Sequence, residues 1–182
     1  MNISKTKQGD VPEKISQADT AYLTSPSLLQ RRSHQVFLSF SEDVPRYFVS
    51  YLIKKLKWIG ITVVYSGFMG GKSMSRPEVT QAIEESSISV VILSKDYVSS
   101  SKCLDELVEI IRWREENLGN RVMPIYYEMG TSDVMKQAKT IGNRLVETYL
   151  GKVVEKPELR WMRALAYIVN IVGESSQYWF VV

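Results

Sequence analysis

The stretch Ser86-Ser-Ile-Ser-Val-Val-Ile-Leu-Ser-Lys-Asp-Tyr97 runs on into Ser99-Ser-Ser-Lys-Cys-Leu-Asp-Glu-Leu-Val-Glu-Ile-Ile111. Ile88 to Leu93 is short, apolar and β-branched, the pattern of a strand covered by helices on both faces. A serine-rich loop follows. From about Lys102 to Asn117, Leu104, Leu107, Val108 and Ile111 then recur at helical spacing. In such folds function collects at the carboxyl end of the strand, where helix N-termini offer free N–H groups and a positive dipole end. Asp105 and Glu106 sit close to that rim.

Working outward, the same alternation recurs. Val36-Phe-Leu-Ser-Phe40 reads as a strand. Val44 to Trp58 places Phe48, Leu52, Leu56 and Ile59 at helical spacing, with Pro45 tolerated in the first turn and Gly60 as the stop. Ile61 to Tyr65 is a second strand, followed by a Gly-rich loop from Ser66 to Ser75 and a helix through Val79, Ile83 and Glu84. Val122 to Tyr127 is a further strand, and Pro124, lacking a ladder donor, puts it near an edge or a bulge. Helices are expected from about Ser132 to Leu150 and from Pro157 to Val172, the last with Leu159, Met162, Leu165, Ala166, Val169 and Val172 facing the core. Strands alternating with helices predict an α/β fold with a parallel, doubly wound sheet. The predicted organisation is a flexible extension over residues 1–33, one domain over 34–173, and a tail over 174–182 whose aromatics cover the domain.

Composition limits function. Across 182 residues, 23 Lys and Arg nearly balance 20 Asp and Glu, and they are scattered, so no strong nucleic-acid footprint is visible and only weak or assembly-dependent binding stays open. The single cysteine, Cys103, points to a reducing, intracellular setting. No apolar run approaches the length of a membrane span, and the N-terminus lacks the hydrophobic region of a secretory signal.

Few residues carry chemistry. Gly70-Gly-Lys-Ser73 follows a strand and precedes a helix, as a phosphate-binding loop does, but Gly67 is one residue too close for that motif. The loop therefore reads as a connection in which Lys72 and nearby N–H groups can still meet a ligand phosphate. His34, the only histidine, has no Cys, His or acidic neighbours and reads as a surface residue rather than a metal ligand or a triad base. Cys103, near a helix start, is either a packed residue or a thiol of depressed pKa. Asp105 and Glu106 point about 100° apart on a helix, so they cannot act as a glycosidase pair. Asp105 aligns with Glu109 on a solvated side. Glu106 shares a face with Cys103 and Ile110, and is either a functional carboxylate or an exposed partner of Lys102.

Six blocks, Gln35-Val-Phe-Leu-Ser-Phe40, Ala82-Ile-Glu-Glu-Ser86, Val90-Val-Ile-Leu-Ser94 with Tyr97, Cys103-Leu-Asp-Glu-Leu107, Met123-Pro-Ile-Tyr-Tyr127 and Trp161-Met-Arg-Ala-Leu165, resemble in order those of plant TIR (Toll/interleukin-1 receptor) domains. The chain looks like a TIR-only immune protein. The resemblance implies a flavodoxin-like three-layer fold with a central four- to five-stranded parallel sheet. It also implies cleavage of NAD⁺ at the nicotinamide–ribose bond upon oligomerisation, with NAD⁺ as substrate and no cofactor or metal, triggering cell death and defence. The family's catalytic glutamate maps onto Glu106. Phe40, Ser41, Tyr65, Gly71, Lys72, Lys102 and Cys103 fall at substrate-binding positions. Some relatives form cyclic nucleotides from nucleic acid, a role in which the block's cysteine, here Cys103, is implicated. Implied partners are further copies and other TIR-containing immune proteins, with nucleic acid as an additional one and no membrane, in the cytoplasm and also the nucleus. The helices 44–58 and 157–172, with Lys54, Lys57 and Arg163 exposed, would form one assembly surface. The chain departs from the family pattern in Phe40-Ser-Glu-Asp43, which lacks an arginine, in the replacement of an Asp-Asp pair from Tyr65 onward, and in Lys102, which replaces a tryptophan. These departures keep a second reading open, a non-catalytic adaptor acting by TIR–TIR association.

Overall fold

Ile88–Leu93 forms β3, the middle strand of a five-stranded, all-parallel sheet in a computed structural model that describes residues 35–66, 74–117, 120–148 and 157–176. The expected N-terminal extension, His34, Gly71, Lys72 and the aromatic end of the tail lie outside those residues. The other strands are β1 (Gln35–Ser39), β2 (Thr62–Tyr65), β4 (Arg121–Tyr126) and β5 (Glu174–Ser175), in the order β2-β1-β3-β4-β5. The helices are α1 (Arg46–Trp58), α2 (Arg76–Glu85), α3 (Ser101–Glu116), α4 (Thr131–Thr148) and α5 (Pro157–Ile168), with a 3₁₀ turn at Tyr97–Ser99 before α3. This is the flavodoxin-like arrangement implied by the resemblance.

The period of two sorts each strand between two cores. Val36, Leu38, Val90, Ile92 and Ile125 pack with Phe48, Val49 and Ile53 of α1. On the other face Phe37, Val91, Leu93 and Val122 pack with α2, α3 and Leu165 and Ile168 of α5. The strand order explains the division. The chain steps one way from β1 to β2 and the opposite way thereafter, and right-handed crossovers place helices of opposite step on opposite faces. Thus α1 and α5, expected to share one assembly surface, lie across the sheet from each other. The exposed side of α1 carries Tyr47, Tyr51 and Trp58 beside Lys54 and Lys57, while Arg163 is exposed on α5.

Local chemistry sets the boundaries. Gly60 takes φ +83°, and the Ile61 N–H returns to the Leu56 carbonyl, a left-handed helix stop. The α2 start is held by Glu78, which accepts from the Ser75 N–H at 2.6 Å. The last helix ends at Ile168 instead of continuing to Val172, which is 93% exposed. Its buried face is Ala164, Leu165 and Ile168. Ile59, expected in the α1 stripe, follows the helix end and is exposed; the inward residues are Phe48, Val49 and Ile53.

Glu174 and Ser175, assigned from sequence to the tail, pair with Ile125 and Tyr126 as β5. Two polar residues have no alternation to signal a strand. Their placement depends on Gly173, where a Cβ would stand 2.6 Å from the Pro124 carbonyl oxygen and 2.8 Å from the rings of Pro124 and Tyr126. Gly173→Ala is therefore expected to push β5 off the sheet edge and cost about 1–3 kcal/mol in urea unfolding, as overpacking does. An unchanged midpoint would show that the edge gives way freely.

Candidate active site

The neighbours of β1 set the location. β1 lies between β2 and β3, so the connection leaving β1 turns one way and that leaving β3 the other, opening a crevice at their carboxyl ends, where open α/β sheets bind ligands. Asp43 ties the two exits together: its carboxylate accepts from Ser94 Oγ at 2.6 Å and from the Asp96 N–H at 3.1 Å. Ser94 in turn accepts from the Tyr97 N–H at 3.3 Å, which fixes the 3₁₀ turn leading to α3.

Helix α3 begins at the cap residue Ser100, whose hydroxyl accepts from the Cys103 N–H at 3.4 Å. Leu104, Leu107, Ile110 and Ile111 are buried, and this anchoring turns Cys103 and Glu106 inward as well. Glu106 is only 6% exposed. Its Oε1 accepts from Ser66 Oγ at 2.6 Å and its Oε2 from Ser39 Oγ at 2.9 Å, and Ser39 Oγ also lies 2.9 Å from the Tyr97 hydroxyl. Burial pushes the Glu106 carboxyl above its ordinary value, while the hydrogen bonds from Ser66 and Ser39 and the charge of Lys102 pull it back.

Glu106 lines a cleft of about 430 Å³ with Phe40, Ser41, Ser66, Lys102 and Cys103, a volume within the range of small-molecule sites. Arg46, Glu42 and Asp96 also contribute to its wall. Tyr65 stands beside it through its ring contact with Phe40, centroids 6.0 Å apart. The fold thus brings Phe40, Ser41, Tyr65, Lys102, Cys103 and Glu106 together, and Gly71 and Lys72 fall outside the described residues. Lys102, a departure from the family pattern, here supplies positive charge that favours the ionised form of Glu106.

Asp105 aligns with Glu109 on a partly exposed side, as spacing implies, and is also tied down there: it accepts from Trp161 Nε1 at 2.8 Å and meets Arg76 at 3.5 Å, because α5 and α2 pack alongside α3. It lines a second cavity of about 320 Å³ with Met74, Arg76, Val79 and Thr80, which Glu106 and Lys102 also reach. Of the two readings of Cys103, the packed one holds: the thiol is buried and its pKa is pushed up, chiefly by that burial. A thiol so placed stays neutral and is a poor nucleophile.

Ser39, Ser66, Arg46 and Tyr97 were missed from sequence. Ser39 is the last residue of β1 and Ser66 the first after β2, so a search for hydroxyls at strand carboxyl ends would have found both. Among the described residues no cluster of three or more His, Cys, Asp and Glu is placed to hold a metal ion, and no helix is long and apolar enough to cross a membrane.

A family model for the TIR domain matches residues 33–180. The chain is 43% identical over 158 residues to the disease resistance-like protein DSC2 of Arabidopsis thaliana, a match covering 86% of this chain and 13% of that protein. Against the disease resistance protein TAO1 of the same plant it is 40% identical over 168 residues, covering 92% of this chain and 14% of the relative. The chain therefore spans only a small part of the length of these relatives. Among solved structures it is similar to the TIR domains of the activated Roq1 resistosome directly recognizing the pathogen effector XopQ, with a TM-score of 0.64, 33% identity, and 80% of this chain and 89% of that one covered.

Proposed function

The chain belongs to the TIR domain family, and on that premise we propose that it cleaves NAD⁺ between nicotinamide and ribose, with Glu106 as the catalytic carboxylate, once several copies assemble. The observation that carries this reading is a buried glutamate facing the switch-point cleft, both of its oxygens held by hydroxyls and a lysine beside it.

One carboxylate suffices for this chemistry. The nicotinamide ring nitrogen already carries positive charge, so it takes the electron pair of the broken C–N bond and leaves neutral without a general acid. The ribose is left as an oxocarbenium-like cation, and a desolvated carboxylate stabilises it far better than one in water. Water then forms the new C–O bond and loses a proton, giving ADP-ribose. The nucleic-acid chemistry that the resemblance attaches to Cys103 is left out of this reading, because a buried neutral thiol does not support it. Plant immune signalling, assembly with other TIR-containing proteins, and a cytoplasmic or nuclear location belong to the same proposal, supported by the likeness to plant disease resistance proteins.

The test follows nicotinamide release from NAD⁺ over a series of protein concentrations. The rate per molecule is expected to climb with concentration, and Glu106→Ala to lower it at least ~10²-fold, the scale seen when one preorganised electrostatic group is removed. A rate indifferent to that substitution sinks the assignment. No release at any concentration would favour the non-catalytic adaptor.

A further inference from the structure

Ser39, Ser66 and Tyr97 are all buried and come from three separate elements, the end of β1, the exit of β2 and the turn before α3. A serine hydroxyl has one proton to give. If Ser39 gives its proton to Glu106 Oε2, its 2.9 Å contact with Tyr97 requires Tyr97 to donate. Tyr97 is suited to that role, because burial, with Cys103 and Glu106 nearby, holds its phenol well above the ordinary value and therefore protonated. The protons then run in one direction, from Tyr97 to Ser39 to Oε2, while Ser66 serves Oε1 independently. Hydrogen bonds to a charged acceptor are the stronger ones, so two hydroxyls donating to the carboxyl oxygens favour its ionised form over the neutral acid.

We propose that Ser66 and the Tyr97–Ser39 pair are positioning residues for Glu106, a two-sided hydroxyl clamp that fixes the plane of its carboxyl group and holds it as the carboxylate facing the cleft. The role of the clamp in turnover rests on the reading of Glu106 as the group that acts on NAD⁺. The charged and titratable groups around Glu106 come from several elements. Lys102 and Cys103 lie on its own helix and Tyr97 in the turn before it, whereas β1 and the exit of β2 contribute only the neutral serines. Arg46, Glu42 and Asp96 line the cleft, and Arg76, Asp105 and Glu109 the second cavity. The hydroxyls of Ser66 and Ser39 and the charge of Lys102 together work against the effect of burial on the carboxylate.

The experiment compares wild type with Ser66→Ala, Ser66→Thr and Tyr97→Phe by two readouts, the pH profile of NAD⁺ cleavage and the titration of the Glu106 carboxyl carbon by ¹³C NMR. Removing one donor from a carboxylate should move the Glu106 titration upward by about one unit. In Ser66→Ala the acid limb of kcat should move with it, and kcat should fall ~10-fold with KM nearly unchanged, as expected when an interaction specific to the transition state is lost. Ser66→Thr keeps the hydroxyl and should restore the wild-type profile. Tyr97→Phe, which removes only the feeding hydroxyl, should give a smaller shift in the same direction and serves if Ser66→Ala fails to fold. A Glu106 titration that stays at its wild-type position in both Ser66→Ala and Tyr97→Phe overturns the clamp. If that titration shifts while wild type cleaves no NAD⁺, the clamp stands and the proposed reaction falls.

Discussion

Glu106→Gln is expected to silence the proposed NAD⁺ cleavage and, at neutral pH, to make the protein more stable. The rate should drop at least ~10²-fold, because the amide keeps the shape of the side chain but not the charge that steadies the ribosyl cation. The gain in stability follows from burial. The folded-state pKa of Glu106 is raised, so ionisation costs folding free energy that the exposed, unfolded chain does not incur. The sign is set by proton uptake: above the ordinary carboxylate range the folded state binds the proton more tightly than the unfolded one. Stability is fully present below that range and declines as pH rises through the raised value. Gln has no charge to bury and can still bond to both serines, Ser39 and Ser66, its amide oxygen accepting from one and its amide N–H donating to the other. Its melting temperature should therefore match wild type in acid and exceed it at neutral pH. A variant that melts lower than wild type at neutral pH would show that the hydrogen bonds of the carboxylate outweigh its burial.

Leu107→Ala should have the largest effect on stability. Leu107 is fully buried, adjacent to Glu106 on α3, in the core shared with Phe37, Val91 and Leu165. Truncation there removes transfer free energy and leaves a cavity, about 2–5 kcal/mol in comparable cases. The urea midpoint should fall with an unchanged m-value, and the melting temperature by about 10 °C. A loss under about 1 kcal/mol would mean that neighbouring side chains collapse into the space. The two substitutions, one residue apart, push stability in opposite directions because one removes a buried charge and the other a buried hydrocarbon.

The fold was legible because burial on two faces leaves a local imprint. Val36 to Ser39, Thr62 to Tyr65, Ile88 to Leu93 and Arg121 to Tyr126 are strands where alternation or β-branched runs placed them. Pro124 on β4, with only the two-residue β5 outside it, fits the expected near-edge position. Errors arose where local pattern and tertiary contact diverge. The apolar spacing from Leu159 to Val172 continues past the point at which the helix stops. Spacing puts Asp105 beside Glu109 but gives no sign that Trp161, 56 residues away, donates to it. Helices α1 and α5 carry similar apolar stripes, and nothing in either stripe says which face of the sheet it covers.

Sequence alone therefore determined the order and kind of the elements through the last helix, the parallel sheet and the six blocks that mark the family, but not β5, since each of these is written in spacing within a few residues or in short motifs and two polar residues carry neither. It also singled out Glu106 as a residue with two readings, a functional carboxylate or a surface partner of Lys102. Only the tertiary structure decided that Glu106 is buried between Ser39 and Ser66, which lie 67 and 40 residues from it in the chain. Serine is common and carries no periodic signature, so its meaning depends on which strand ends the sheet brings together. The strand order β2-β1-β3 does this, because it sets the exits of β1 and β2 beside the start of α3 and so surrounds one carboxylate with hydroxyls.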